Sequence, residues 1–405
     1  MTITFLSNYI NHHQIPFCNA CYKLLGNDFF FVQASPMEEE RVAMGWHTDG
    51  ITLPYVHCLY EKEEKCLSLI EESDILLAGW SEREDLVQKR LLAGKPVIRI
   101  SERIYREGQW KAISPKGLIH KYREHFRFRN DRAYLLCAGA YVASDFALIK
   151  SYPEKMYRWG YFPETVKYTD EQWQSLKAKE GILSIVWAGR FMPLKHPEFM
   201  IRLAEYLKKR DDLWQGKAYT DFCIHMVGSG EMEQELLRMA KESDVEDKLI
   251  FYGFMEPEKV REIMEKSHIH IFTSNHLEGW GAVVNEAMNS GCAEVANVQA
   301  GAVPYLVEHE KNGMIYPDGD FDKMAQAVCF LIENPKRMEE MGRAAYETIT
   351  SLWNAEQAAS ELVRFAEGVL KGEAVPAAGG PLSQAPVISP AKMYQYLMKK
   401  DKEGK

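Results

Sequence analysis

Within HLEGWGAVVNEAMNSG, residues 276–291, two carboxylates, Glu278 and Glu286, stand eight positions apart around a bend that contains Gly279 and Gly281. Carboxylates accept hydrogen bonds from hydroxyls, while the unpaired N–H groups and positive dipole at a helix start suit a phosphate. A ligand with phosphates in the middle and a sugar at each side fits a helix start flanked in this way. The same spacing is met by capping and surface glutamates, so the pattern needs support from elsewhere in the chain. VWAGRFMPLKHPEF adds Gly189, Arg190 and Lys195 directly after an apolar run. An Arg fork and a Lys point charge five residues apart can neutralise a diphosphate without a metal. MVGSGEMEQEL puts Gly228 in a strand–turn–helix, and FYGF leaves Gly253 and Phe254 able to offer backbone to a planar base.

These residues require a scaffold that brings loops to one edge. The 405 residues favour two domains. Short apolar runs alternate with longer helical patterns, the rhythm of βα units on parallel sheets. TITFLSN, NDFFFVQAS, SDILLAG, KPVIRIS and YLLCAG are the expected strands of the first half, ILSIVWAGR, FCIHMVGSG, KLIFYGF, IHIFTSN and AEVANVQAG those of the second. A Pro- and aromatic-rich break at 151–170 separates them. The reading is an α/β chain of two doubly wound domains, 1–165 and 166–350, followed by a helix over 351–372 and a flexible linker with a short tail over 373–405. The linker expectation rests on the Pro, Ala and Gly of EAVPAAGGPLSQAPVISP. In such sheets ligands bind at the carboxyl edge of the strands, where the Glu278 loop and the Arg190–Lys195 loop both belong.

Composition excludes several classes. With 46% hydrophobic and 26% charged residues the chain reads as an ordinary soluble, cytoplasmic protein. No run approaches the roughly 18 apolar residues of a membrane span. MTITFLSNYI reads as a first strand rather than a secretion signal. The eight cysteines are expected to be reduced, and Cys18 and Cys21 to be two apolar-like residues of the first helix. No metal site is expected: Asp320 of Asp318-Gly319-Asp320 is placed to cap a helix, and His268 and His270 alternate along a buried strand. An oxidoreductase would share the architecture, yet neither domain shows G-x-G-x-x-G after its first strand.

The order of these motifs resembles the retaining glycosyltransferases of the GT-B fold, the glycosyl transferases group 1 or family 4-like enzymes related to glycogen synthases and bacterial mannosyltransferases. The resemblance is carried by Gly189, Arg190 and Lys195, by VGSGE, by Glu278 and Glu286, and by AGAVPYLVEHEKNGMIYPDGD. It implies two Rossmann-like domains facing a cleft, an acceptor-binding first domain, a second domain holding a UDP- or GDP-linked sugar as co-substrate, and a terminal helix returning to the first domain. It implies that Arg190 and Lys195 hold the diphosphate, Glu278 the transferred sugar, and Glu286 the ribose. Retention, a glycan or lipid-linked acceptor, and a role in bacterial cell-surface polysaccharide or glycolipid synthesis are likewise implied by the resemblance. The first half departs from the family: SNYINHHQIP stands where a glycine pair is usual, and Ser101-Glu102-Arg103 where a histidine often follows; in the second domain Pro304-Tyr305 stands where Pro-Glu is common. Asn11, His12, His13 and Gln14 occupy the first loop, and His13 or Glu102 is the candidate for assisting at the acceptor hydroxyl. A nucleotide-sugar epimerase or a non-catalytic nucleotide-sugar-binding subunit is the alternative.

Charge is unevenly placed. Residues 103–132 hold nine Lys or Arg against three acidic residues, a net +6 in a chain of net −9, which leaves −15 elsewhere. Tyr105, Trp110, Tyr122, Phe126 and Phe128 interleave with these cations, a pattern expected of peripheral attachment to an anionic membrane. The other reading is a basic lining for an anionic soluble acceptor. Nucleic acid is not expected of an acidic chain without a matching motif.

Overall fold

The structure is a computed structural model that describes residues 1–39, 49–177, 181–215 and 217–403. It divides into two compact units, Met1–Glu164 with Leu352–Ser389, and Thr165–Ser351 with Pro390–Lys405.

The first unit is built on a seven-stranded sheet in the order β3-β2-β1-β4-β5-β6-β7, every neighbouring pair parallel. Its strands are β1 (Ile3–Ser7), β2 (Phe29–Gln33), β3 (Val56–Cys58), β4 (Ile75–Ala78), β5 (Val97–Ser101), β6 (Ala133–Ala138) and β7 (Met156–Trp159). ITFLS and AYLLCA are buried at every residue, because helices cover both faces of a parallel sheet. Strand β1 lies between β2 and β4, so the winding reverses there and the loops after β1 and β4 diverge around an opening at the carboxyl edge.

The second unit repeats the plan with six parallel strands in the order β10-β9-β8-β11-β12-β13. These are β8 (Gly181–Ala188), β9 (Tyr219–Val227), β10 (Leu249–Gly253), β11 (Ile269–Phe272), β12 (Ala293–Asn297) and β13 (Gly313–Tyr316). Helix Glu198–Lys208 lays Phe199, Met200, Leu203, Ala204 and Leu207 against Ile185, Ile224 and Ile271 of the sheet. The winding reverses at β8, between β9 and β11, which sets the Arg190 and Glu278 loops side by side.

Several expectations are corrected. Strand β7 lies inside the segment expected to break the chain, because MYRW pairs with Leu135–Ala138 and closes the first sheet. Residues 373–390 are not a free linker: Leu382 and Ala385 are buried, and Leu382 and Ser383 exchange backbone hydrogen bonds with Arg158, each 2.8 Å long. Composition suggested flexibility, but the apolar side chains at 377, 382 and 385 find a surface to cover. The tail beyond it forms helix Pro390–Glu403, with Met393 buried and the Pro390 carbonyl accepting from Gln299 at 3.1 Å. Helix Ala355–Lys371 belongs to the first unit and packs on helix Ile15–Leu25, with Phe365 edge-on to Tyr157 at 4.6 Å. Cys18 and Cys21 are buried on that first helix, and burial raises both thiol pKa values.

Arg103, the first cation of the basic segment 103–132, is structural. Its guanidinium pairs with Asp145 through two contacts of 3.3 Å, and Asp145 also accepts from the Tyr105 backbone at 3.1 Å and from Gln109 at 2.9 Å. Both partners are buried, so removing the carboxylate strands a cation in the core. Asp145→Ala is expected to destabilise the first unit by about 3–5 kcal/mol. Urea unfolding followed by circular dichroism checks this, and an unchanged midpoint would contradict it.

Candidate active site

In the second unit the loops after β8, β9 and β10 are laced together by backbone. Gly189 N–H donates to Val227 at 3.0 Å, Phe191 to Ser229 at 2.9 Å, and Gly228 to Gly253 at 2.9 Å. The fit is close enough that a side chain at 228 would place its Cβ 1.9 Å from the Gly189 carbonyl oxygen, at a left-handed φ of 131°. The VGSG glycines thus permit loop-on-loop contact, which fixes the backbone from which Arg190 and Lys195 project.

The β11 loop is tied to the same frame. Thr273 Oγ1 accepts from Trp187 Nε1 at 2.8 Å and donates to the Lys195 carbonyl. Asn275 N–H donates to the Leu194 carbonyl at 2.9 Å, and Glu278 N–H to the Asn275 carbonyl at 3.0 Å. The chain then turns through Gly281, whose φ of 93° and missing side chain are both needed, since a Cβ would meet the Phe272 ring at 2.7 Å. Helix Ala282–Asn289 starts there. Trp280, buried under the turn, donates to Asn285 at 2.8 Å and braces its first turn.

This scaffold brings Lys195 and Glu278, 83 residues apart in sequence, into a direct ion pair that is mostly shielded from solvent. Arg190, on the same β8 loop as Lys195, is exposed, and its guanidinium has no hydrogen bond or ion pair among the described residues. Glu286 occupies the second turn of helix Ala282–Asn289, where burial raises its carboxyl pKa against the opposing pull of Arg261 and His270. Gly279 is buried in the turn, Gly253 is left-handed with open space beside it, and the Phe254 ring is exposed. His196 was missed by sequence reasoning. In a left-handed conformation at φ 48°, it links Glu198 at 2.8 Å to the Asn275 amide at 3.3 Å and so couples the two loops.

The remaining polar motifs are structural. Asp320 caps helix Phe321–Glu333 by accepting from Lys323 N–H at 2.9 Å, and Asp318 accepts from Asn297 at 2.7 Å. His268 Nδ1 accepts from Ser184 N–H at 3.1 Å, while His270 pairs with Glu294 inside the sheet at 2.9 Å. Among the described residues no three His, Cys, Asp or Glu side chains gather into a metal-binding group.

The first unit carries a cavity of about 640 Å³ at its own switch point, lined by the loops after β1, β4 and β5, by the segment after β7, and by helix Pro115–Glu124. His13 and Glu102 both line it and are joined through a residue that sequence reasoning missed. The Tyr161 ring stacks on His13 at 5.8 Å, and its hydroxyl donates to Glu102, which also pairs with Arg106. Burial, followed by the neighbouring His12, holds the His13 pKa down to about 3, so this ring is neutral near pH 7. The loop keeps its shape through Asn11, which accepts from His13 N–H at 3.1 Å and donates to Gln14 at 3.0 Å. Cations on the wall are matched by carboxylates: Arg99 with Glu84, Arg103 with Asp145, Arg106 with Glu102, Lys121 with Glu124. A wall of balanced charge and aromatic rings, with Trp80 exposed at its edge, suits a hydroxyl-rich ligand better than a free anion.

Residues 169–348 match the family described as glycosyl transferases group 1. An uncharacterized glycosyltransferase of Haemophilus influenzae is 35% identical over 139 residues, 34% of this chain and 38% of that protein. A GDP-mannose-dependent alpha-(1-6)-phosphatidylinositol monomannoside mannosyltransferase of Mycobacterium tuberculosis is 25% identical over 191 residues, 46% of this chain and 47% of its own length. The aligned stretches thus span less than half of these relatives. Anabaena HepE, solved in complex with UDP, superposes with a TM-score of 0.63 at 15% identity, covering 90% of this chain and 100% of its own. The segment that holds Arg190, Lys195, Glu278 and Glu286 therefore belongs to glycosyl transferases group 1, within a chain that has the GT-B fold of two Rossmann-like units.

Proposed function

We infer that this protein transfers a sugar from a UDP- or GDP-linked donor to an acceptor hydroxyl with retention, in the synthesis of a bacterial cell-surface polysaccharide or glycolipid. The observation that carries the reading is the Lys195–Glu278 pair, held by interlocked loops beside exposed Arg190 and the helix start at Gly281. Arg190 and Lys195 take the diphosphate, Glu278 the hydroxyls of the transferred sugar, and Glu286 the ribose. Gly189, Gly228, Gly253 and Phe254 shape the bed for the nucleotide. Before donor arrives, the Lys195 ammonium is occupied by Glu278, so the diphosphate enters a site whose cation is already ordered rather than one that must be assembled.

In the reaction the bond from the anomeric carbon to the diphosphate oxygen breaks, and its electron pair leaves with the diphosphate. The acceptor oxygen bonds to the same carbon on the same face and loses its proton. The transition state is oxocarbenium-like, so charge grows on the departing diphosphate, where the Arg190 guanidinium and the Lys195 ammonium held by Glu278 stabilise it without a metal. The first-unit cavity takes the acceptor. There Glu102, ordered by Tyr161 and Arg106, is better suited to receive a hydroxyl proton than His13, whose low pKa makes it a hydrogen-bonding wall and a weak base.

Arg190→Ala and Lys195→Ala are each expected to weaken nucleoside diphosphate binding by about 1.5–3 kcal/mol, read by titration calorimetry. Unchanged affinity in both variants would remove the assignment. Turnover with the matching donor is expected to survive EDTA, and nuclear magnetic resonance of the product to show the anomeric configuration of the donor. Loss of activity restored by a divalent ion, or an inverted product, would overturn the corresponding part of the mechanism.

A further inference from the structure

Helix Pro115–Glu124 is amphipathic in the wrong sense for a surface helix. Its inward positions are Gly117, Lys121 and Glu124, three and four apart, and none of its residues is buried. Its outward positions are Leu118, Ile119 and Tyr122, 43%, 57% and 54% exposed. The preceding turn, Gln109–Ile113, adds Trp110 at 69% and Ile113 at 80% exposure. Five large apolar side chains therefore face solvent within thirteen residues, where a surface helix ordinarily turns such residues inward. Singly exposed apolar residues need no explanation, but a run of them does.

Charge selects the partner. Lys116, Arg123 and Arg127 are exposed around these residues and have no ion pair among the described residues, unlike the paired cations of the cavity wall. They belong to the segment of net +6 in a chain whose remainder is −15. Apolar side chains flanked by unpaired cations, with Trp and Tyr among them, match a bilayer whose headgroups are anionic. The structure corrects part of the sequence expectation: Tyr105 and Phe128 are buried in the first unit's core, and Ile113, Leu118 and Ile119 take their place at the surface.

We propose that residues 109–127 form a membrane-docking surface that seats the first unit on an anionic bilayer, with Trp110, Ile113, Ile119 and Tyr122 at the headgroup layer and Lys116, Arg123 and Arg127 against the phosphates. The same helix lines the cavity through His120, Lys121 and Glu124. Docking therefore places that cavity at the lipid surface. Given the transfer reaction inferred above, on which this clause alone rests, the acceptor is a glycan carried on a lipid.

The test is flotation of the full chain with vesicles of phosphatidylcholine mixed with phosphatidylglycerol, compared with vesicles of phosphatidylcholine alone. Binding to the mixed vesicles at low salt, falling steeply with added salt, is expected. Lys116→Gln and Arg123→Gln should each lower it about fivefold, the worth of one basic residue near such a surface. The double variant Ile113→Ser with Ile119→Ser should reduce it further at high salt, where charge is screened. All four positions are exposed, so circular dichroism and nucleoside diphosphate binding should be unchanged, which separates failure of docking from failure of the donor assignment. Equal recovery on both vesicle types, no recovery at low salt, or variants that bind as the parent does would overturn the proposal. So would a lipid-independent dimer that the Ile113 and Ile119 changes dissolve, since a second copy would then be what covers the surface.

Discussion

One carbonyl oxygen governs the second unit. The Gly189 oxygen occupies the volume that any side chain at position 228 would need, and around that contact the loops after β8, β9 and β10 are drawn into one backbone network. Everything cationic in the candidate site hangs from this network. Arg190 is the next residue along, and Lys195 follows after a turn whose last carbonyl is held by Thr273. A larger residue at 228 would therefore act on the position of two cations that it never touches. Packing of this kind has little slack, because interiors resist small displacements about as stiffly as molecular crystals do.

The two units solve different electrostatic problems with the same sheet architecture. In both, burial of the strands on two faces leaves the carboxyl-edge loops as the place where polar groups can remain solvated. The second unit leaves the Arg190 guanidinium at its edge without an ion pair among the described residues. The first unit instead matches the cations of its cavity wall with carboxylates and adds aromatic rings. One edge presents an exposed guanidinium, the other a wall of paired charges and aromatic rings.

Strands with long apolar runs were legible in the sequence because parallel strands buried on both faces lose the alternation that would otherwise mark them. Val56–Cys58, Met156–Trp159 and Gly313–Tyr316 were not legible, being three or four residues long with His, Arg or Tyr in the run, and they exist through pairing with a neighbour. Lys195 and Glu278 could each be singled out from motif order, but their ion pair depends on β8 and β11 being adjacent. Tyr161 carried no signal at all: an aromatic residue in a Pro-rich stretch joins His13 to Glu102 only because β7 delivers it to the cavity. The Pro/Ala/Gly stretch at 373–390 misled for the complementary reason, since composition reports what a segment would do alone and not what Leu382 finds to cover.

The chain crosses between its units at 164/165, 351/352 and 389/390. During synthesis the second unit's sheet, within 165–351, is complete and contiguous, whereas the first unit waits for residues 352–389. Those late residues include Ala358, Leu362 and Phe365, which cover helix Ile15–Leu25 and the strands beneath it, and Leu382, which packs beside β7. The half that leaves the ribosome first is thus the last to be sealed, and it carries an uncovered apolar face for the whole time the other half is being made. Transiently exposed apolar surface of this kind makes a folding chain prone to aggregation. A premature stop between 352 and 389 would spare the sheet of the second unit and leave the cavity-bearing half without its outer layer.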